Sequence, residues 1–281
     1  MSTRRHRIVH RTIMRYEDDV VASHNELRMI PVDEPGQTTV EARIRVRPHS
    51  FSHHYTDHWG TEVMAVEVQV PHRVLEIEAS SIVERSELPV EVQTSGWDAL
   101  ADEATCDLLS EYLNIGPRSQ PPADLQEIAK QAREEPTPRA AARFVVERVH
   151  ERMEYAKGAT KVFENAADAW ERGRGVCQDF AHITIGALRS IGVPTRYVSG
   201  YVAQESELQR GEDCPGESHA WIEVWDGAWL PYDPTNLTQV DLDYVVVGRG
   251  RNYDDVSPFR GMYAGPELSE LDVEITVTRV S

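Results

Sequence analysis

The chain has 281 residues, a length that accommodates two domains and a sizeable buried core. Its 47 acidic residues against 29 lysines and arginines give a formal net charge of −18 at pH 7. This balance argues against a nucleic-acid partner, because phosphate binding requires concentrated positive charge. No apolar run reaches the length of a transmembrane helix, and no apolar signal segment follows the basic N-terminus. We therefore expect no membrane partner and a cytoplasmic location.

Short segments of alternating apolar and polar residues occupy the first third of the chain. The clearest are residues 39–47 and 62–70, followed by residues 75–79. Alternation with a period of two indicates strands that bury one face. We predict an antiparallel β-sandwich domain over residues 1–95, and a last strand at residues 271–280 that joins either this sandwich or the second domain.

The period of the apolar residues changes to that of a helix after Trp97. Apolar positions between Leu100 and Leu113 predict one helix, and those between Ala141 and Met153 predict another. A shorter helix is predicted at residues 166–172. These helices open the second predicted domain, residues 96–281.

A glycine-rich segment, residues 173–175, leads into a further helix that begins near Cys177. The apolar spacing from Gln178 to Ser190 is helical, which places Cys177 at a helix N-terminus. There the free N–H groups and the positive end of the helix dipole favour an anion on sulfur. Because a cysteine is nucleophilic only as a thiolate, this placement suits a nucleophile.

An alternating run from His219 to Trp225 predicts a strand, and Ala228–Leu230 predicts a second strand after the turn at Asp226-Gly227. Two strands joined by so tight a turn must pair. Their pairing brings Asp233 beside His219.

Cys177, His219 and Asp233 together suggest a thiolate nucleophile, its general base and the residue that orients the imidazole. Each of them alone also fits a structural role, as a buried thiol, a core histidine or a turn residue. Trp221 shares the strand face of His219 and is either a core aromatic or, as the candidate substrate-binding residue, a wall of the acyl pocket.

Stretches on both sides of these residues resemble a known family. They are residues 175–182 (GVCQDFAH), 188–201 and 247–258, with residues 23–28 and 57–60 in the first third. The chain resembles the transglutaminase-like superfamily, in particular its bacterial and archaeal branch of cysteine-protease-like proteins with an N-terminal β domain.

The resemblance implies an α+β fold, with a papain-like, transglutaminase-like core that follows an antiparallel β-sandwich domain. It also implies that Cys177 forms a thioester with a glutamine or other acyl donor and passes the acyl group to water or an amine. His219 would then act as general base and acid, and Asp233 would orient it. The expected oxyanion donor is the backbone N–H of Cys177.

Gln178 follows the nucleophile, whereas the oxyanion glutamine of a papain-type site precedes it. Animal transglutaminases typically have a tryptophan after the cysteine, add separate β domains and need calcium. The glutamine here and the lack of such domains argue against a protein-crosslinking role. No cofactor is expected.

Two further polar segments and the three cysteines are candidates for metal, substrate-selecting or disulfide features. Residues 53–59 hold three histidines, but without the order of zinc ligands they indicate a strand end and a hairpin turn, and no metal site is predicted. Residues 205–216, with Glu207, Glu212, Asp213 and Cys214, indicate a solvated loop beside His219 that helps to choose substrates. Three cysteines form no disulfide framework, and a reducing compartment suits a catalytic thiol.

We predict a cysteine-dependent acyl-transfer enzyme that hydrolyses peptide or amide bonds of a peptide or protein substrate. One alternative is amine transfer to a protein glutamine, and another is arylamine-type N-acyl transfer, which the β-rich first domain fits poorly. A third is a binding module that keeps the fold without turnover. No feature of the sequence specifies an oligomeric state.

Overall fold

The computed structural model describes residues 2–87, 95–158, 165–203 and 210–281. The strands are β1 Thr3–Val20, β2 Ala22–Leu27, β3 Gln37–Arg47, β4 Phe51–Thr56, β5 Glu62–Val68, β6 His72–Ser86, β7 Glu154–Tyr155, β8 Arg174–Gly175, β9 Thr195–Ala203, β10 Asp213–Trp225, β11 Trp229–Tyr232, β12 Tyr244–Gly250, β13 Phe259–Ala264 and β14 Leu268–Arg279. The helices are α1 Gly96–Leu100, α2 Glu103–Leu108, α3 Ala123–Arg133, α4 Pro138–Arg152, α5 Ala166–Arg172, α6 Cys177–Ser190 and α7 Tyr253–Val256, with 3₁₀ turns at Ser110–Tyr112 and Pro117–Ser119. The predicted α+β class is confirmed.

The first third of the chain forms an antiparallel sandwich together with β13 from near the C-terminus. A four-stranded sheet, in the order β13-β2-β5-β4, faces strands β1, β6 and β3 of a second sheet. Alternate residues of β1 are buried, as the period of two requires; Met14, Tyr16 and Val20 lie between the sheets, whereas Ile8 packs with residues of the C-terminal half. The shared core contains Met14, Tyr16, Val20, Leu27, Met29, Val46, Met64, Val66, Val68, Leu75, Ile77 and Ala79. The alternating pattern therefore predicted β3, β5 and β6 correctly.

The second sheet continues from the sandwich into the C-terminal half. Its strand order is β12-β9-β10-β14-β1-β6-β3, and β11 also pairs with β10. Strand β14 pairs with β1 over most of its length and with β10 at Asp213–Pro215. The last strand of the chain thus takes part in both the sandwich and the region that carries His219.

Helix α6 lies at the centre of the C-terminal half. It packs against α3, α4 and α5 on one side and against β9 and β10 on the other. Its apolar residues, among them Phe180, Ile183 and Leu188, are fully buried. A helix enclosed on both sides holds the residue at its N-terminus in a fixed position.

One predicted helix is wrong. The apolar positions between Leu100 and Leu113 do not form a single helix, because α1 ends at Leu100 and Asp102 begins a new one. The Asp102 carboxylate accepts a hydrogen bond from the N–H of Thr105 at 3.1 Å. This side-chain cap divides the segment into α1, α2 and a 3₁₀ turn.

A buried ion-pair network joins the two halves. Glu223 of β10 accepts hydrogen bonds from Arg196 of β9 at 2.6 Å and from Arg249 of β12 at 2.9 Å. Arg249 also donates to Glu34, which precedes β3, at 2.7 Å. Burial opposes a charged carboxylate, but Arg249 and Arg196 outweigh burial and lower the pKa of Glu223.

Candidate active site

Cys177 is the first residue of α6, and a carboxylate fixes the turn before it. Val176 has extended backbone and donates its N–H to Oδ2 of Asp179 at 2.8 Å. A Cβ on Gly175 would lie 2.5 Å from that same oxygen, so only glycine leaves room for the carboxylate. The run Gly-Val-Cys-Gln-Asp therefore encodes a helix start that holds Cys177 in one position.

The thiol lies at the positive end of α6. The first N–H groups of a helix have no carbonyl one turn earlier to bond, and with the helix dipole they favour a negative charge. Cys177 and Gln178 contribute the first two of these groups. The helix start predicted from the sequence is confirmed.

His219 of β10 contacts both Cys177 and Asp233. The tight β10–β11 hairpin places Asp233, which follows β11, next to His219 on β10. Oδ2 of Asp233 lies 2.8 Å from Nε2 of His219. Because Nε2 is used in this contact, Nδ1 is the ring nitrogen left for the hydrogen bond between His219 and Cys177. The structure therefore brings together the three residues that the sequence grouped.

Several donors hold the Asp233 carboxylate in place. The Tyr244 hydroxyl donates to Oδ2 at 2.7 Å and the Asn236 side-chain amide donates to it at 2.9 Å. The backbone N–H groups of Thr235 and Asn236 donate to Oδ1. Sequence reasoning missed Tyr244 and Asn236. Asn236 belongs to the Asp-Pro-Thr-Asn run and could have been found there, whereas nothing local marks Tyr244, which begins β12.

The site stabilises a charged imidazole. Burial disfavours the imidazolium, but the hydrogen bonds and charges of Asp233 and Cys177 outweigh burial and raise the pKa of His219 to about 10. Burial likewise opposes a charged Asp233, yet the hydrogen bond and charge of His219, with Tyr244 and Asn236, lower its pKa. Near neutrality the raised pKa of His219 favours an imidazolium beside the sulfur of Cys177, which is the partner that an activated cysteine requires.

Trp221 lies behind His219 rather than along a pocket wall. Its side chain has an exposed fraction of 0%, and its ring stacks beside the imidazole with centroids 6.2 Å apart. Tyr244 packs edge-on against the indole at 5.3 Å. A Cβ on Gly200 would lie 2.6 Å from the indole, so this glycine leaves room for the ring. Of the two roles considered for Trp221, the structure matches the core aromatic.

A cleft of about 610 Å³ opens over Cys177 and His219. Strands β10 and β14 form two of its walls, and the segment after β7 forms another. At its rim Lys157 forms an ion pair with Glu217.

Tyr155, in the same wall, offers a neutral hydroxyl to the cleft. Burial, followed by the charges of Glu217 and Cys177, raises the pKa of Tyr155 to about 12. The lining residues are Tyr155, Lys157, Gly158, Val176, Cys177, Gln178, Tyr197, Ser199, Pro215, Gly216, Glu217, Ser218, His219, Ala220, Tyr253, Pro258, Val273, Glu274 and Ile275.

The side chain of Gln178 also lines this cleft. Only 9% of the residue is exposed, and its amide Nε2 is buried with no hydrogen-bond partner among the described residues. A buried amide without a partner is costly in a folded protein. The amide therefore lies in the cleft wall beside the thiol without a partner among the described residues.

The other polar segments form no comparable centre. His53, His54 and His58 are exposed, and within the described ranges no three histidine, cysteine or acidic side chains converge as metal ligands do. Of the loop predicted at residues 205–216, residues 205–209 lie outside the described residues, and the part from Asp213 forms the start of β10. No helix in the described residues is long and apolar enough to cross a membrane.

Two family models match the chain. Residues 126–234 match the transglutaminase-like superfamily, and residues 6–84 match the bacterial transglutaminase-like N-terminal region. The first match contains Cys177, His219 and Asp233.

Relatives extend over the whole chain. An uncharacterized protein of Mycobacterium leprae is 38% identical over 279 residues, which cover 99% of both chains. An uncharacterized protein of Mycobacterium tuberculosis is 33% identical over 98% of this chain and 93% of its own. A protein of Pseudomonas aeruginosa named protein-glutamine gamma-glutamyltransferase is 28% identical over 51% of this chain and 23% of its own.

The fold is also similar to a solved structure. A crystal structure from Cytophaga hutchinsonii, described as "a Putative Cysteine Protease", superposes with a TM-score of 0.75. It covers all of this chain and 92% of the other, at 17% sequence identity. This likeness establishes the shared fold.

Proposed function

The chain belongs to the transglutaminase-like superfamily, and we propose that it is a cysteine-dependent acyl-transfer enzyme that hydrolyses peptide or amide bonds. One observation carries the proposal. Cys177 sits at a helix N-terminus in an open cleft, in contact with a His219 that the buried Asp233 holds and charges.

In the first step the Cys177 thiolate attacks the substrate carbonyl carbon. A C–S bond forms, and the carbonyl π electrons move onto oxygen to give a tetrahedral oxyanion. As the oxyanion collapses, the C–N bond breaks and the His219 imidazolium gives its proton to the leaving amine. A thioester on Cys177 and a neutral imidazole result.

In the second step His219 takes a proton from water, and the resulting hydroxide attacks the thioester. The C–S bond breaks, the acid leaves and the thiolate–imidazolium pair returns. Asp233 keeps the imidazole in the orientation that serves both steps.

Two donors are proposed for the oxyanion. The backbone N–H of Cys177 is one, as the sequence predicts, and the buried Nε2 of Gln178 is the other. Its side chain lines the cleft beside the thiol, so a substrate oxygen in the cleft gives the amide the partner it lacks.

Hydrolysis is favoured over amine transfer by the openness of the cleft. Tyr155 at its wall is 41% exposed, and the Lys157 side chain at its rim is 68% exposed. Amine transfer requires a site that binds the amine and excludes water. The similarity to the Pseudomonas aeruginosa protein named protein-glutamine gamma-glutamyltransferase favours amine transfer as the second candidate.

The test is acylation of the protein by p-nitrophenyl acetate, followed by intact-protein mass spectrometry, and then a panel of end-capped glutamine peptides. We expect a transient acetyl group on Cys177 that water removes, with none in Cys177→Ser and a slower reaction in His219→Ala. Cys106→Ser is the matched control and should behave as wild type. Added glycine ethyl ester distinguishes the two candidates, because only amine transfer gives an amide product faster than the acid.

A folded protein with no acyl group on Cys177 and no product from any peptide would overturn the proposal. The binding-module alternative would then explain the cleft better.

A further inference from the structure

The catalytic cleft lies where two neighbouring strands of the large sheet separate. Strands β10 and β14 pair only where Asp213–Pro215 meet Thr276–Thr278. From Gly216 onward β10 pairs with β9 on one side, while β14 down to Leu268 pairs with β1 on its other side. Within the described residues, no strand pairs with the edge of β14 that faces the cleft.

A glycine stands at the point of separation. A Cβ on Gly216 would lie 2.5 Å from Cγ2 of Val277 and 3.0 Å from Cγ2 of Ile275. The missing side chain therefore lets β10 leave the sheet directly beneath these two residues. The strands diverge into a fork whose open end contains Cys177 and His219.

Along this fork the backbone of β14 has hydrogen-bonding groups with no strand partner in the part of the chain that the structure describes. The N–H of Gly211 donates to the backbone carbonyl of Arg279 at 2.8 Å. The backbone N–H and C=O of Arg279 therefore point away from β1. The register between β14 and β1 is regular from Arg279 to Glu270. Strand alternation therefore directs the N–H and C=O groups of Ile275, Val273 and Leu271 toward the fork.

The side chains of the same residues form an apolar ridge. Ile275 is 8% exposed inside the cleft, Val273 is 50% exposed at its mouth and Leu271 is 56% exposed beyond it. Successive odd-numbered residues of a strand share one face. The ridge thus runs without interruption from the protein surface to the cleft over Cys177.

We propose that the open edge of β14 binds the acyl-donor substrate as an added strand. The occupant is an extended peptide segment whose main chain pairs with Leu271, Val273 and Ile275. Apolar side chains at alternate positions of the peptide lie on the ridge, and its acyl carbon reaches Cys177. This inference rests on the proposed function for the chemistry at Cys177, and it adds the substrate class. Strand addition explains both the free main-chain groups and the alternating apolar residues beside the thiol.

The first test compares Val273→Pro with Val273→Ala. Proline removes the N–H that faces the fork, while the hydrogen bonds of Asp272 and Glu274 to β1 are kept. Alanine keeps that N–H and shortens the side chain. Both variants are made in a Cys177→Ser background that binds without turnover. The probe is a labelled, end-capped peptide in which valine alternates with serine around a central glutamine, and binding is followed by fluorescence anisotropy.

We expect Val273→Pro to weaken binding at least about tenfold and Val273→Ala only several-fold. A second measurement does not depend on the folding of the variants. It uses the Cys177→Ser protein with peptides N-methylated at every valine or at every serine. Strand addition predicts that one of the two methylated series loses binding and the other keeps it.

Acetylation of Cys177 by p-nitrophenyl acetate separates the two proposals. It is measured on the wild-type protein without peptide, because the small ester needs no strand pairing. If the wild-type protein is not acetylated but peptide binding depends on Val273, the peptide surface stands and the proposed function fails.

Equal binding by wild type and Val273→Pro, an absence of peptide binding, or equal loss with both methylated series would overturn the strand-addition inference. So would a dimer in sedimentation experiments that Val273→Pro dissociates while no peptide binds. The edge would then be a self-association surface.

Discussion

Two histidine-containing regions of this molecule differ in what surrounds them. The β4 hairpin concentrates His53, His54 and His58 in a short stretch, but all three side chains are exposed. His219 has no histidine nearby in sequence and is only 6% exposed, with Asp233 bonded to it from fourteen residues away. A high number of histidines in a short stretch is therefore weak evidence for a functional site. Separate elements that converge on one buried titratable group are stronger evidence.

The difference extends to the acidic partners. Asp57, in the hairpin, accepts hydrogen bonds at Oδ1 from the backbone N–H groups of Trp59 and Thr61, which closes the turn, and its Oδ2 pairs with the permanently charged Arg28. Asp233 also accepts backbone N–H groups, but its second oxygen is turned to His219. The same side chain thus closes a turn in one region and charges an imidazole in the other.

The largest effect is expected from removing the imidazole. In His219→Ala, alkylation of Cys177 by iodoacetamide at about pH 6 should slow by about 100-fold, because the thiolate loses its counter-charge. Mass spectrometry resolves Cys177 from Cys106, which serves as the internal control. The matched variant His53→Ala should alkylate as wild type does. Equal rates in wild type and His219→Ala would mean that the pair is not assembled.

The next effect is steric. Gly200→Ala would place a Cβ 2.0 Å from the carbonyl oxygen of Val245 and 2.6 Å from the ring of Trp221. We expect a loss of about 1–3 kcal/mol in the free energy of unfolding, measured by urea denaturation. We also expect slower alkylation of Cys177, because a shift of the Trp221 ring displaces the imidazole of His219 that it stacks beside. Gly116→Ala is the control, since a Cβ there meets nothing within 4 Å. A Gly200→Ala protein as stable as the control would contradict the packing described for Trp221.

Asp233→Asn tests the charge on the imidazole. Asparagine keeps the shape but removes the negative charge, so the pKa of His219 should be lower than with Asp233 by at least about one unit. Titration of the imidazole by NMR, in the Cys177→Ser background for both proteins, measures this directly.

The same substitution has a consequence for stability against pH. A raised histidine pKa stabilises the folded state fully below about pH 6.5, and this stabilisation is lost as the pH rises toward 10. In the Cys177→Ser protein, where Asp233 is still present, the free energy of unfolding should therefore fall as the pH rises above about 6.5, and it should fall less steeply with Asp233→Asn. An equal slope in the two proteins would show that Asp233 does not charge His219.

The smallest effect is expected in the β4 hairpin. Because His53 and His54 are exposed, changing both to alanine should alter the free energy of unfolding by less than about 0.5 kcal/mol. Equimolar Zn²⁺ should shift the melting temperature of wild type and the double variant equally. A zinc-dependent stabilisation of wild type alone would restore the metal-site interpretation.

Local patterns predicted what depends on neighbouring residues. The period of two located β3, β5 and β14, and the glycine-rich turn located the start of α6. The hairpin at Asp226-Gly227 was enough to place Asp233 beside His219. Each of these features is decided within a few residues of chain.

Long-range pairing was beyond such patterns. In sequence, the segment from Asp213 resembles part of a polar loop. It forms a strand because it pairs with Thr276–Thr278 near the C-terminus. The contact of Tyr244 with Asp233 and the orphaned amide of Gln178 likewise arise only when separate elements meet. A sequence window contains no information about which distant edge a strand meets.

The double pairing of β14 has a consequence for recombination between relatives. A chimera that joined the sandwich of one protein to the Cys177 region of another would need a β14 that fits β1 of one parent and the cleft of the other. The ion pair between Arg249 and Glu34 would have to match as well. Exchange of the first third alone therefore alters the wall beside the nucleophile.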